Sequence, residues 1–215
     1  MNTDLLIARL SHDLRPVPRG LLHANLRRGL VVGATVASFI VLFWPSLGTR
    51  SDLGAATMTS AFWIKLLYTA SIASIGFFAL ESLSRPEAAA FRWTRHLWPP
   101  VALLTVITAV RWVVLPSSDA TAFWMGSSWW QCPIYVTLLS IPVYFGLVRM
   151  LSRLAPTRLG TTGAVAGLVA GATAATIYGL HCVETSPGFV LLWYSLGLAA
   201  ATSLGAAAGP RLLRW

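Results

Sequence analysis

Gly126-Ser-Ser-Trp-Trp-Gln-Cys-Pro133 opens directly onto an apolar run over 133–150, whose first charged residue is Arg149. Proline suits the first position of a helix, because its missing N–H has no partner there. The stretch therefore predicts a helix starting at Pro133 with Cys132 as its N-cap. A thiol at that position feels the positive end of the helix dipole, which favours thiolate and predicts Cys132 as a reactive cysteine. The chain has one other cysteine, in His181-Cys182, at the end of another apolar run. Two thiols at the ends of different segments can act as a redox pair if both lie on the same side of a membrane.

Composition sets the class. Of 215 residues, 56% are hydrophobic and 11% charged, whereas soluble domains carry about 25% charged residues. Working outward from 133–150, further apolar segments occupy 29–46, 61–82, 98–115, 160–180 and 188–208. Each is long enough as a helix to cross a hydrocarbon core about 30 Å thick. The predicted fold is all-α: a polytopic bundle of six transmembrane helices over 29–208. A cytoplasmic segment precedes it at 1–28 and a cytoplasmic tail follows at 209–215.

The net charge of +9 follows from topology and gives no reason to expect direct nucleic-acid binding. Arg9, Arg15, Arg19, Arg27 and Arg28 lie in the leader, and Arg85, Arg92 and Arg95 in the second connection. Arg149, Arg153 and Arg158 flank the fourth connection, and Arg211 and Arg214 lie in the tail. These thirteen of the sixteen cations fall on one side, and only Arg50 falls in a connection on the other. The positive-inside bias then places both termini in the cytoplasm. Trp124, Trp129 and Trp130 fall in an outer aromatic belt, and Cys132 and Cys182 face an oxidising compartment, where disulfides persist. Lys65 and Arg111, near outer segment ends, read as snorkelling cations; either one, placed near Cys132, would further lower its pKa.

The pair Cys132 and Cys182 leaves three readings open: a redox pair, an inert structural disulfide, and a metal site with His181 and Glu184. Two widely spaced thiols do not make a permanent metal signature. Transient capture of a soft metal ion fits thiolates better. In the leader, Leu6, Ile7, Leu10 and Leu14 recur at helical spacing, with Asp13 and Arg15 beside them and Pro16 ending the pattern. Such a helix either lies on the lipid bilayer or places its apolar stripe in a partner's groove. Segment five carries Gly163, Gly167 and Gly171, and segment six ends with Gly205 and Gly209. These spacings read as a close-packed helix seam. No glycine-rich nucleotide loop, Cys-x-x-Cys or His-x-x-x-His occurs, so neither a cofactor nor an enzyme is expected. The runner-up reading, a membrane thiol–disulfide oxidoreductase, lacks a second cysteine pair to pass electrons on.

Several motifs together resemble the negative regulator of sigma F family, six-span membrane anti-sigma factors. They are Thr3-Asp-Leu-Leu-Ile-Ala-Arg-Leu with Asp13-Leu-Arg-Pro-Val, Ser128-Trp-Trp-Gln-Cys132, His181-Cys182, Phe189-Val-Leu-Leu-Trp193 and Arg211-Leu-Leu-Arg-Trp215. The resemblance implies a bacterial inner-membrane protein whose 3–15 segment, through Leu6, Ile7, Leu10, Asp13, Leu14 and Arg15, holds an extracytoplasmic-function sigma factor. It also implies that Cys132 and Cys182 sense oxidative or heavy-metal stress and trigger release, with Trp129, Trp130, His181 and Glu184 as accessories.

Overall fold

The computed structural model describes residues 3, 7, 20–45, 47–84, 94–116, 119–154 and 156–214. Six long apolar helices form a bundle: α1 (Leu21–Phe43), α2 (Ser60–Leu83), α3 (Thr94–Val113), α4 (Gln131–Leu151), α5 (Leu159–Tyr178) and α6 (Pro187–Leu212). Short helical turns at Leu53–Ala56 and Ala120–Met125 sit in the connections at one end. All six helices are long and apolar enough to cross a membrane.

Helix α5 is the centre, and its composition explains why. Its sequence, LGTTGAVAGLVAGATAATIY, is dominated by Gly, Ala and Thr. Lipid gives no hydrophobic drive for one helix to prefer another, so close backbone packing becomes decisive. In its most apolar stretch 61% of α5 is buried, against 11% for α3, which lies at the periphery. A side chain on Gly163 would run into the Gly205 carbonyl and come within 2.7 Å of Gly209 Cα. One on Gly167 would run into the Ala201 carbonyl. The predicted α5–α6 seam is therefore present.

A second seam joins α1 to α4. A Cβ on Gly29 would strike the Gly146 carbonyl, and one on Gly33 would lie 2.8 Å from the Pro142 carbonyl. Gly29-x-x-x-Gly33 has the same four-residue spacing as the other seam. Hydroxyls add cross-helix bonds: Thr176 Oγ1 donates to Thr69 Oγ1 at 2.9 Å, and Tyr144 Oη donates to the Gly205 carbonyl at 3.0 Å. At the opposite end from the thiols, His23 Nδ1 lies 3.1 Å from Glu81 Oε2, joining α1 to α2.

Two helix ends differ from the expected boundaries of the membrane domain. Helix α1 begins at Leu21 rather than 29, so Arg27 and Arg28 lie on it, and Leu26 is fully buried. Helix α6 continues to Leu212 rather than stopping at 208, because Gly209 belongs to the α5 seam and Leu213 is buried. In the leader Thr3 and Ile7 are helical, and Ile7 is exposed. Leu6, Leu10, Asp13, Leu14 and Arg15 lie outside the described residues.

Candidate functional site: the thiol cluster at one end of the bundle

Cys132 enters from the first turn of α4, and Cys182 from the loop just after α5. Both are free thiols, buried in the same apolar cluster and within electrostatic range of each other. The topology thus brings the two cysteines to one end of the bundle. Their roof is aromatic. Tyr178 stacks on Tyr135 at 5.9 Å, with Tyr194 at 6.2 Å and His181 at 5.5 Å.

Cys132 is not the N-cap. The Ser128 carbonyl accepts from the N–H groups of both Gln131 and Cys132, at 3.1 Å each. That starts the helix at Gln131, with Trp130 in the capping position. Pro133 still falls in the first turn, where its lack of an N–H is tolerated. Cys132 has 0% exposure and Cys182 3%. The N-cap argument for a more reactive Cys132 therefore loses its geometric basis.

The accessory residues act as ties between connections. His181 Nδ1 lies 2.7 Å from the Gly48 carbonyl. Glu184 Oε1 accepts from both the N–H and the hydroxyl of Ser127, each at 2.7 Å. This holds the turn that leads into Cys132. Trp129 packs against Trp193 with the rings tilted and their centres 5.2 Å apart, and it is partly exposed, as is Trp130. Among the described residues, no three His, Cys, Asp or Glu side chains come together as a metal site would require.

Gly126 makes the Glu184 clamp possible. Its φ of +56° and ψ of −165° suit glycine alone, and a Cβ there would lie 2.7 Å from the Glu184 carboxyl carbon. Gly126→Ala is expected to cost about 1–3 kcal/mol in backbone strain, with the clash additional. Thermal unfolding in detergent would read this as a lowered midpoint, and an unchanged midpoint would refute the clamp.

Two cations absent from the sequence-derived site belong to it. Lys65 does not snorkel: it is 2% exposed. Its Nζ donates to the Cys182 carbonyl at 2.8 Å and the Glu184 carbonyl at 3.1 Å, and lies 5.9 Å from the Tyr194 ring centre. Arg50 makes two bonds to Asp52, at 2.6 and 2.7 Å. This pairing raises the Arg50 pKa and lowers that of Asp52. The Arg50 side chain is only 6% exposed, and its backbone N–H donates to the Leu180 carbonyl at 3.3 Å. The partners of Lys65 lie more than a hundred residues away in sequence, so no local pattern announces them. Tyrosines 135, 178 and 194, at the thiol end, are the readable signal: three of the five tyrosines stand where segments four, five and six meet.

Helix α6 enters this end through a π-helical turn, Val190–Tyr194. Such turns often re-aim side chains at functional sites. Here Trp193 Nε1 donates to the Trp124 carbonyl at 2.8 Å, and Tyr194 is fully buried against the thiols.

Comparison with known proteins gives a family for this arrangement. The anti-sigma-F factor of Caulobacter vibrioides is 37% identical over 223 residues, and the probable anti-sigma-F factor of Azospira oryzae is 34% identical over 215 residues. Both alignments cover 100% of this chain and of the relative. No solved structure matches. The family defined as negative regulator of sigma F matches residues 10–215. The chain, with its six apolar helices and its pair of thiols, belongs to the negative regulator of sigma F family.

Proposed function

We propose that this chain is an anti-sigma factor of the bacterial inner membrane. Both termini are cytoplasmic, and it holds an extracytoplasmic-function sigma factor through its 3–15 segment. Release follows oxidation of the two thiols or their capture of a heavy metal. The observation that carries this reading is full-length kinship with anti-sigma-F factors, together with two cysteines converging at one end of the bundle. The charge distribution supports the sidedness.

The helix arrangement supports a route between the ends. Helix α4 starts beside Cys132 and ends against α1, where Gly146 meets Gly29. The leader connects directly to α1. A shift of α4 at its thiol end is thus delivered to the base of the sigma-holding segment.

The test is capture of the sigma factor from detergent, alongside transcription of its target genes. Burying a leucine is worth about 1.5–3 kcal/mol, so Leu10→Asp is expected to weaken capture about tenfold or more. Transcription should switch on without stress while the protein stays in the membrane. Cys132→Ser should retain capture and lose the stress response. If neither change alters transcription, while Cys132→Ser abolishes thiol–disulfide exchange on added substrates, the protein is an oxidoreductase instead.

A further inference from the structure

Among the described residues, three buried side-chain polar atoms lack a hydrogen-bond partner, and two of them, Arg50 Nη1 and Tyr194 Oη, belong to the thiol end. Both side chains are more than nine-tenths buried. The Arg50 backbone N–H donates to the Leu180 carbonyl at 3.3 Å, two residues before Cys182. Tyr194 shares the buried apolar cluster of Cys182, and Lys65 Nζ lies between the Cys182 carbonyl and the Tyr194 ring. Unpaired buried donors are costly and rare. A guanidinium can only donate, so the group that would satisfy it is an acceptor rather than a metal cation. Lys65 fixes the Cys182 backbone through that residue's own carbonyl. Cys182 thus has a restrained backbone, and two unused donors belong to the same end of the bundle.

We propose that Cys182 is the cysteine that takes an oxygen atom from a hydroperoxide, with Arg50 Nη1 and Tyr194 Oη holding that oxygen. This deepens the sensor reading above and rests on it. The Cys182 thiolate attacks one peroxide oxygen, the O–O bond breaks, and the other oxygen leaves as alkoxide or hydroxide to be protonated by water. Sulfur is oxidised to sulfenic acid and the peroxide is reduced. The new S–O oxygen accepts from the two donors. The Cys132 thiol then condenses with the sulfenic acid, forming the S–S bond and releasing water. Cys182, not Cys132, is the first thiol to react, and Cys132 resolves it.

The experiment uses the full chain, reduced, in detergent, with hydrogen peroxide as the probe. Dimedone traps sulfenic acid and peptide mass mapping locates it. In Cys132→Ser the adduct should appear on Cys182. In Cys182→Ser the adduct on Cys132 should form at least tenfold more slowly. Within Cys132→Ser, adding Arg50→Met or Tyr194→Phe should slow peroxide labelling of Cys182 about tenfold. Alkylation of Cys182 by iodoacetamide, which needs access but places no oxygen on sulfur, should change less than threefold. Faster labelling of Cys132, or equal slowing of peroxide and iodoacetamide in both double variants, overturns the assignment. If Cys182 is oxidised as expected but the sigma-dependent genes stay silent, the assignment holds and the sensor reading fails.

Discussion

Lys65→Met is expected to speed alkylation of Cys182 by ten- to a hundredfold in the folded, detergent-solubilised protein. Methionine nearly matches the length and volume of lysine, so packing around α2 is largely kept. What is lost is the donor that ties the carbonyls of Cys182 and Glu184 to α2. A buried carbonyl left unpaired costs about 1–3 kcal/mol. Part of that is returned, because a buried ammonium is itself expensive. A net loss of about 1.4–2.8 kcal/mol makes local opening of the 180–186 loop ten- to a hundredfold more frequent. A bulky maleimide reaches Cys182, only 3% exposed, chiefly through such openings. Maleimide labelling followed by mass mapping measures the rate, and Lys65→Arg should restore part of the protection. An unchanged rate in Lys65→Met would show that the loop is held by other contacts.

Gly205→Leu is expected to produce a large loss of stability in the bundle. A side chain there would run into the Gly163 carbonyl and come within 2.9 Å of Gly167 Cα. Both obstacles are backbone, so no rotamer change makes room. The two helices must separate, and the Tyr144 bond to the Gly205 carbonyl is strained with them. The cost should reach about 3 kcal/mol or more, the upper range for overpacked cores. Gly160→Leu is the control, because a Cβ on Gly160 meets nothing within 4 Å. Thermal unfolding in detergent should separate the two clearly. Equal midpoints would mean that the α5–α6 seam does not limit stability.

Much of the architecture was legible because span length and glycine spacing are local properties. The six spans, the seam of Gly163 and Gly205 and the shared end of Cys132 and Cys182 all follow from them. The α1–α4 seam carried the same signal in Gly29 and Gly33. The start of α4 was misplaced by two residues: Pro133 marks a favourable first turn, but the Ser128 carbonyl decides where bonding begins. For Lys65, snorkelling is the default for a cation near a span end, and the alternative, a cation beside the thiols, is where the fold puts it. Its acceptors are created by the fold of a distant loop. Arg50 looked like an ordinary outer-loop cation, and only the packing of that loop against Leu180 buries its side chain.

The wide turn at Val190–Tyr194 has a rotational consequence. Each residue of an α-helix advances the chain by about 100° around the axis. A turn that takes in an extra residue lags behind that schedule, so the parts of α6 above and below it are set at different phases. The lower part points Leu198, Ala201, Gly205 and Gly209 into the bundle, while the upper part points Val190 and Tyr194 inward and gives Trp193 to Trp124. Losing one residue inside the wide turn would be absorbed by its relaxing to α geometry, whereas losing one from the α-helical part between 195 and 198 would swing the aromatics above it about 100° away from the thiols. In this helix residue count acts as an angle, and the alignment of the aromatic roof with the glycine seam depends on it.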